Sequence, residues 1–252
     1  MPSRKNKRTI LVTGAAGGIG GACVDHLLHE GFRVCAADLR PLDDADAHED
    51  AADHLLLEQV DVSRDASCQA VVEATIKRFG RLDGLIHMAG VHCVEPWEEM
   101  TAESFDRILS INVAGTFLIA RAAALGMAKT GGGSIVLASS GSTNLSRQDG
   151  TGNSSPAFVA SKSAIIGLVG SLARSFAPLH VRVNAVSPGA TDTAMSAHFD
   201  EDTMHRLSER TLVGRIGAAS EIARVAAFLV SNDSSYVDGQ VIAVNGGDIH
   251  GN

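Results

Sequence analysis

The stretch Thr9-Ile10-Leu11-Val12-Thr13-Gly14-Ala15-Ala16-Gly17-Gly18-Ile19-Gly20 sets the terms for the rest of the chain. Its first four residues are β-branched or apolar, the composition of a buried strand. Glycines then crowd a short turn, and an apolar-periodic run continues to about Glu30 in the pattern of a helix. Strand, glycine turn and helix, in that order, is the setting in which a glycine-rich loop carries chemical meaning. Glycines let the backbone close on a pyrophosphate. The helix start offers N–H donors and the positive end of its dipole. The same residues also suit a plain tight turn, so their meaning rests on what surrounds them.

The next strand, Arg33-Val34-Cys35-Ala36-Ala37, ends in Asp38. An acid at that place accepts hydrogen bonds from ribose hydroxyls and repels a 2′-phosphate, which favours NAD over NADP. Arg40 nearby pulls the other way. Further strands are predicted over 55–60, 82–88, 134–138, 181–186 and 240–244, with helices over 63–79, 101–129, 157–177 and 218–230. Ser63 reads as a cap for the first of these helices. Thr101, with Glu103 and Ser104 behind it, reads as the start of the second. Alternating strands and helices predict one α/β domain over 1–252, a doubly wound parallel sheet. Ligands of such sheets bind beyond the carboxyl ends of the strands. Gly14, Asp38, Asp61, Gly90, Ser140 and Pro188-Gly189 all fall at such ends. The segment 190–215 is polar and Met-containing, with no core pattern, and reads as a lid over the cleft.

The bulk numbers exclude several partners. With 252 residues, 45% of them hydrophobic, the chain is long enough for a sizeable core. A formal charge of -8 argues against nucleic acid, whose phosphates need clustered Lys and Arg. The polar start through Arg8 has no apolar run behind it, and no segment approaches the length of a membrane span. A cytoplasmic protein with no membrane partner is the expectation. Four scattered cysteines without a C-x-x-C spacing read as reduced thiols. The acidic run over 43–54 reads as a solvated connection, and no metal is expected.

The second half carries the chemistry. Ser134-Ile135-Val136-Leu137-Ala138 reads as a buried strand that breaks at Ser139-Ser140-Gly141. A long polar loop follows, and Phe158-Val159-Ala160-Ser161-Lys162 opens an apolar helix. A serine at a strand end and a lysine one turn into the next helix can share one cleft. Asn112 interrupts an otherwise apolar helix and needs a partner there. A hydrolase elbow of the G-x-S-x-G type is absent around Ser139 and Ser140. A methyltransferase on a similar sheet also pairs a glycine loop with an acid, but it leaves Ser140 and Lys162 idle.

On these residues the chain resembles the short-chain dehydrogenase/reductase family over nearly its whole length. Thr13 to Gly20 match the family's T-G-x-x-x-G-x-G loop, and Asp61-Val62 match the acid that contacts adenine. Ala89-Gly90 match the tail of its N-A-G turn, with Met88 in place of the usual Asn. Asn112-Val113-Ala114-Gly115 match the helix motif whose Asn supports a proton relay, by holding a water that links the lysine to solvent. Ser140 aligns with the catalytic serine and Lys162 with the lysine of Y-x-x-x-K. Pro188-Gly189, with Thr191 and Thr193, resemble the segment that holds the nicotinamide carboxamide.

The resemblance implies a Rossmann-type fold, NAD as cofactor and a small alcohol or ketone as substrate. It also implies a homotetramer built on helices 102–129 and 157–177. The cofactor would lie on Gly14, Ala16, Gly17, Gly18, Ile19, Gly20, Asp38, Leu39, Asp61, Val62, Ala89, Gly90, Lys162, Pro188, Gly189, Thr191 and Thr193. Asn112, Ser140, Phe158 and Lys162 would form the catalytic set. Ser140, His92, Arg147, Ser155 and Met195 would face the substrate.

Phe158 is the departure, because the family's general acid/base at this position is a tyrosine. A phenol near pKa 10 can be drawn toward working pH by a neighbouring ammonium. Phenylalanine keeps the ring and has no proton to give. Three readings stay open: an active dehydrogenase altered from Tyr to Phe, a natural variant with a substitute acid, or a non-catalytic NAD-binding sensor. His92 is the leading substitute, ahead of Cys93 and Ser155, because an imidazole titrates near neutrality.

Overall fold

The computed structural model describes residues 8–42, 53–92, 95–144, 155–193 and 200–248. Arg147, Met195, Cys93 and most of the acidic run lie outside them. Seven strands form one sheet in the order β3-β2-β1-β4-β5-β6-β9. They are β1 (Thr9–Thr13), β2 (Arg33–Asp38), β3 (Leu55–Gln59), β4 (Gly84–His87), β5 (Gly133–Ala138), β6 (Val181–Pro188) and β9 (Val241–Val244). Every neighbouring pair is parallel. Such strands are covered on both faces, which is why they read as continuous apolar runs rather than alternating ones.

Along β1 the side chains alternate between two cores. Leu11 packs with residues of α2 (Asp65–Phe79), α4 (Gly115–Ala128) and α5 (Pro156–Phe176). Ile10 and Val12 pack with α1 (Gly18–His29) and α7 (Ala219–Val230). The doubly wound sheet expected from the sequence is therefore present. Its order turns back between β1 and β4, and the carboxyl ends of those two strands open a crevice.

Two local expectations change and two gain detail. Thr101 caps α3 (Ala102–Leu109) as expected, and Ser104 completes the reciprocal box: Ser104 N–H donates to Thr101 Oγ1 at 3.1 Å. Ser63 caps nothing, because its N–H and hydroxyl both donate to Asp61 Oδ1, and Arg64 takes the cap position. The helix predicted over 101–129 is present as one run that carries a π turn, Ser110–Ala114, between α3 and α4. Finally, two helical runs, Ala102–Ala128 and Pro156–Leu179, are long and apolar enough by length and composition to cross a membrane. Both pack on the central strands of the sheet. Polar residues within these runs hide their combined length in the sequence.

At the start of 190–215, β7 (Thr191–Asp192) pairs in parallel with β8 (Gly217–Ala218) just beyond its end. Between them lies α6 (Glu201–Arg210), whose N-cap Asp200 accepts the Thr203 N–H at 2.8 Å.

The central strand tests the core. Leu85 on β4 is fully buried in the larger cluster. Leu85→Ala is expected to cost about 2–5 kcal/mol, read as a lower urea midpoint with an unchanged slope.

Candidate active site

The crevice at the strand ends is a cavity of about 940 Å³. The glycine loop forms its floor. Gly14 has φ +76°, and a Cβ there would stand 2.5 Å from the Ala89 backbone nitrogen. Only glycine lets this turn press against the chain leaving β4. A Cβ on Gly20 would overlap the Gly14 carbonyl, and one on Gly18 would meet Thr193 at 2.8 Å. Helix α1 starts at Gly18 with no side-chain cap and no acid in its first turn. Its N–H groups and dipole end are left for an anion. This cradle, closed to any Cβ and ending on an uncapped helix, fits a dinucleotide pyrophosphate.

Asp38 ties the loop to the end of β2. Its Oδ2 accepts the Ala16 N–H and its Oδ1 accepts the Arg40 N–H, both at 3.0 Å. Arg40 Nη2 in turn donates to the Ala16 carbonyl at 2.7 Å. Asp38 and Leu39 line the cleft beside Asp61 and Val62. Every residue expected to hold the cofactor, from Gly14 through Thr193, lines this one cavity.

At the other end, Ser140 follows β5. Its Oγ accepts from the Ser142 hydroxyl at 2.9 Å and the Ser142 N–H at 3.2 Å. Lys162 comes from α5, where it is 8% exposed, and its Nζ donates to the Ala138 carbonyl at 2.9 Å. Burial pushes its pKa down to about 8, because the charged form loses hydration. The Phe158 ring lies beside it, with Nζ 5.7 Å from the ring centroid, within cation–π range. The His92 ring meets Phe158 edge-on at 4.7 Å. An ammonium and an imidazole thus flank the Phe158 ring.

Two expected site residues do not line the cavity. Asn112 is 1% exposed and stands behind the cleft wall. Its Oδ1 accepts the Val91 N–H, and its Nδ2 donates to the Val91 carbonyl and to Ser161 Oγ. With its amide engaged in this way, it positions the loop after β4 and the start of α5. Ser155 does not line the cleft. It is the N-cap of α5 at φ 41°, buried, with its carbonyl accepting the Val159 N–H.

Other lining residues escaped the sequence reading. Met204, Leu207 and Arg210 of α6 border the cavity, with Ile216 and Asp248. Arg210 grips the Asp248 carboxylate through Nε and Nη2, both at 3.1 Å. The spacing of Met204, Leu207 and Arg210 on one helical face is the signal that identifies them. No motif points to Asp248, which arrives from beyond β9.

Lys162 yields a signed pH prediction. Its charge is costly in the folded state below about pH 8, and that cost fades as pH rises toward the unfolded value. Lys162→Met is therefore expected to melt higher than the parent at pH 7. The gap is expected to shrink through pH 8 and above, as followed by circular dichroism.

Comparison with known proteins agrees with this geometry. The family model described as enoyl-(acyl carrier protein) reductase matches residues 14–248. Levodione reductase from Leifsonia aquatica is 35% identical, covering 97% of this chain and 95% of that protein. D-threitol dehydrogenase from Mycolicibacterium smegmatis is 32% identical, covering 97% and 94%. A solved short-chain dehydrogenase/reductase from Brucella melitensis superposes with a TM-score of 0.86 at 30% identity, covering 97% of this chain and 98% of that one. By its matched length, its identity to these proteins and its shared sheet, this chain belongs to the short-chain dehydrogenase/reductase family of oxidoreductases.

Proposed function

We propose that this protein is an NAD(H)-dependent oxidoreductase that interconverts an alcohol with a ketone or aldehyde, slowed by Phe158. The observation that carries the reading is the meeting of Ser140 and Lys162 in the same cavity as the glycine loop and Asp38. Levodione reductase and D-threitol dehydrogenase among its relatives support an alcohol or ketone substrate. Asp38 supports NAD: a 2′-phosphate would bring negative charge against a carboxylate that already holds the loop.

The nicotinamide supplies the hydride when bound. The protein supplies position and proton. Gly14 through Gly20 and the start of α1 hold the pyrophosphate, and Pro188, Gly189, Thr191 and Thr193 hold the nicotinamide end. The Ser140 hydroxyl polarises the substrate oxygen. Lys162 orients the nicotinamide ribose. Segment 190–215, carrying Met204 and Leu207, covers the substrate as a lid. Exposed Phe117 and Leu125 on α4 and Ile166 on α5 support a homotetramer through those helices.

Phe158 has no proton to exchange with the substrate oxygen. General acid/base catalysis contributes about 10²–10⁴-fold, or roughly 3–5 kcal/mol of barrier. A second reading is supported by the edge contact between His92 and Phe158: the imidazole stands in as the acid. The non-catalytic alternative leaves Ser140 without a task.

Three measurements separate these readings. Fluorescence titration is expected to give tighter binding of NADH than of NADPH, with Asp38→Ala narrowing the difference; a preference for NADPH overturns the role of Asp38. Phe158→Tyr is expected to raise turnover of secondary alcohols and ketones by about 10²–10⁴-fold. If Phe158→Tyr brings no gain and His92→Gln abolishes activity, His92 is the acid. No turnover by the parent or by either variant leaves a dinucleotide-binding protein.

A further inference from the structure

Beneath the cleft is a buried histidine to which the proposed chemistry gives no task. His87 ends β4 and is 2% exposed. It lies opposite Thr13, the last residue of β1 and the one before Gly14. Thr13 is fully buried. His87 Nδ1 is 2.6 Å from Thr13 Oγ1, and His87 Nε2 is 3.0 Å from Thr116 Oγ1. Thr116 Oγ1 lies 2.6 Å from the Asn112 carbonyl.

Counting protons along this path leaves one arrangement for a neutral ring. A carbonyl only accepts, so the Thr116 hydroxyl spends its proton on Asn112. Its oxygen then accepts from an Nε2–H on His87. A neutral imidazole has a single N–H, so Nδ1 is bare and accepts the Thr13 hydroxyl proton. The ring stays neutral because burial, then the nearby Lys162 charge, push its pKa down to about 3. Beyond Asn112 the path continues. The Asn112 amide reaches Val91 and Ser161 Oγ, and the Ser161 hydroxyl donates to the Phe158 carbonyl at 2.7 Å. Hydrogen bonds joined through Asn112, by its backbone carbonyl on one side and its amide on the other, thus link Thr13 to the helix that carries Phe158 and Lys162.

We propose that His87 is a positioning residue, locked as the Nε2–H tautomer, which couples the seating of the glycine loop to the turn that carries Asn112. The loop starts one residue after Thr13 and has no slack, since Gly14 already touches the backbone after β4. A shift of Thr13 therefore moves the N–H groups of the cradle. The coupling rests on the reading of the cleft as a dinucleotide site, whereas the tautomer does not.

Two experiments test it. In long-range ¹⁵N–¹H spectra of histidine-labelled protein, His87 is expected as the Nε2–H tautomer, unchanged from about pH 6 to about pH 8, where an ordinary imidazole titrates. A Nδ1–H tautomer, or titration in that range, overturns the proposal. NADH affinity is then measured on variants at a temperature where circular dichroism finds them folded. His87→Leu leaves the buried Thr13 hydroxyl without its acceptor and is expected to weaken NADH binding about tenfold, or about 1.4 kcal/mol. Thr13→Val removes the other partner and is expected to give a similar loss, which keeps the test decisive if His87→Leu does not fold. His87→Asn, whose amide offers both an acceptor and a donor, is expected to recover most of the affinity. Folded His87→Leu or Thr13→Val protein that binds NADH like the parent overturns the coupling. A parent that binds neither NADH nor NADPH refutes the dinucleotide reading, and the tautomer spectra still judge the lock.

Discussion

Everything in this site depends on one close approach, that of the Gly14 backbone to the chain leaving β4 at Met88 and Ala89. The sheet reverses its winding between those two strands, so their ends separate and a crevice forms. Left open, the crevice would have a ragged floor. Gly14 in the left-handed region lets the chain turn at once and lie against its neighbour. Helix α1 then starts with its N-terminus over the gap. The cradle, the bond from Asp38 to Ala16 and the entry of Thr193 above Gly18 all follow from that turn.

The second constraint is the treatment of charge inside this cleft. Lys162 is almost wholly buried, and among the described residues its Nζ donates to the Ala138 carbonyl and faces the Phe158 ring, with no carboxylate against it. A buried ammonium with so little compensation is destabilising, and such costs concentrate where function needs them. Several other charges in the cleft have partners. Arg210 and Asp248 satisfy one another in a forked pair. Asp38 is occupied by two backbone N–H groups. Lys162 therefore differs from Arg210, since it is buried in the cleft wall with no carboxylate beside it among the described residues. The Phe158 ring beside it offers its π face and no hydroxyl.

Much of the fold was legible because strands buried on both faces and helices with apolar stripes leave unmistakable runs. The breaks were harder to read. The π turn at Asn112 has no glycine or proline within it to mark it; it coincides with a polar side chain that reaches Val91 and Ser161, neither of them near in sequence. Ser63 resembled a cap because serine is a good one, but the nearer Asp61 carboxylate took both its donors. Ser155 resembled a substrate contact because it precedes Phe158, and the backbone turned it inward. The Asn112 partners are distant in the chain, whereas Ser63 was diverted by a neighbour two residues away whose geometry only the fold shows.

The sequence by itself determined the sheet, the glycine cradle, the acid at the end of β2, and the placing of Ser140 just past a strand and of Phe158 in the first turn of a helix. These are set by residue type at short spacing, where sterics and periodicity act locally. Only the tertiary structure decided that Asn112 stands behind the wall, that α6 and Asp248 close the cavity, and that His87 joins Thr13 to Thr116. Those relations are hydrogen bonds and packing between segments far apart in the chain. They exist only once folding has removed water from between them and left each buried polar group to find its partner.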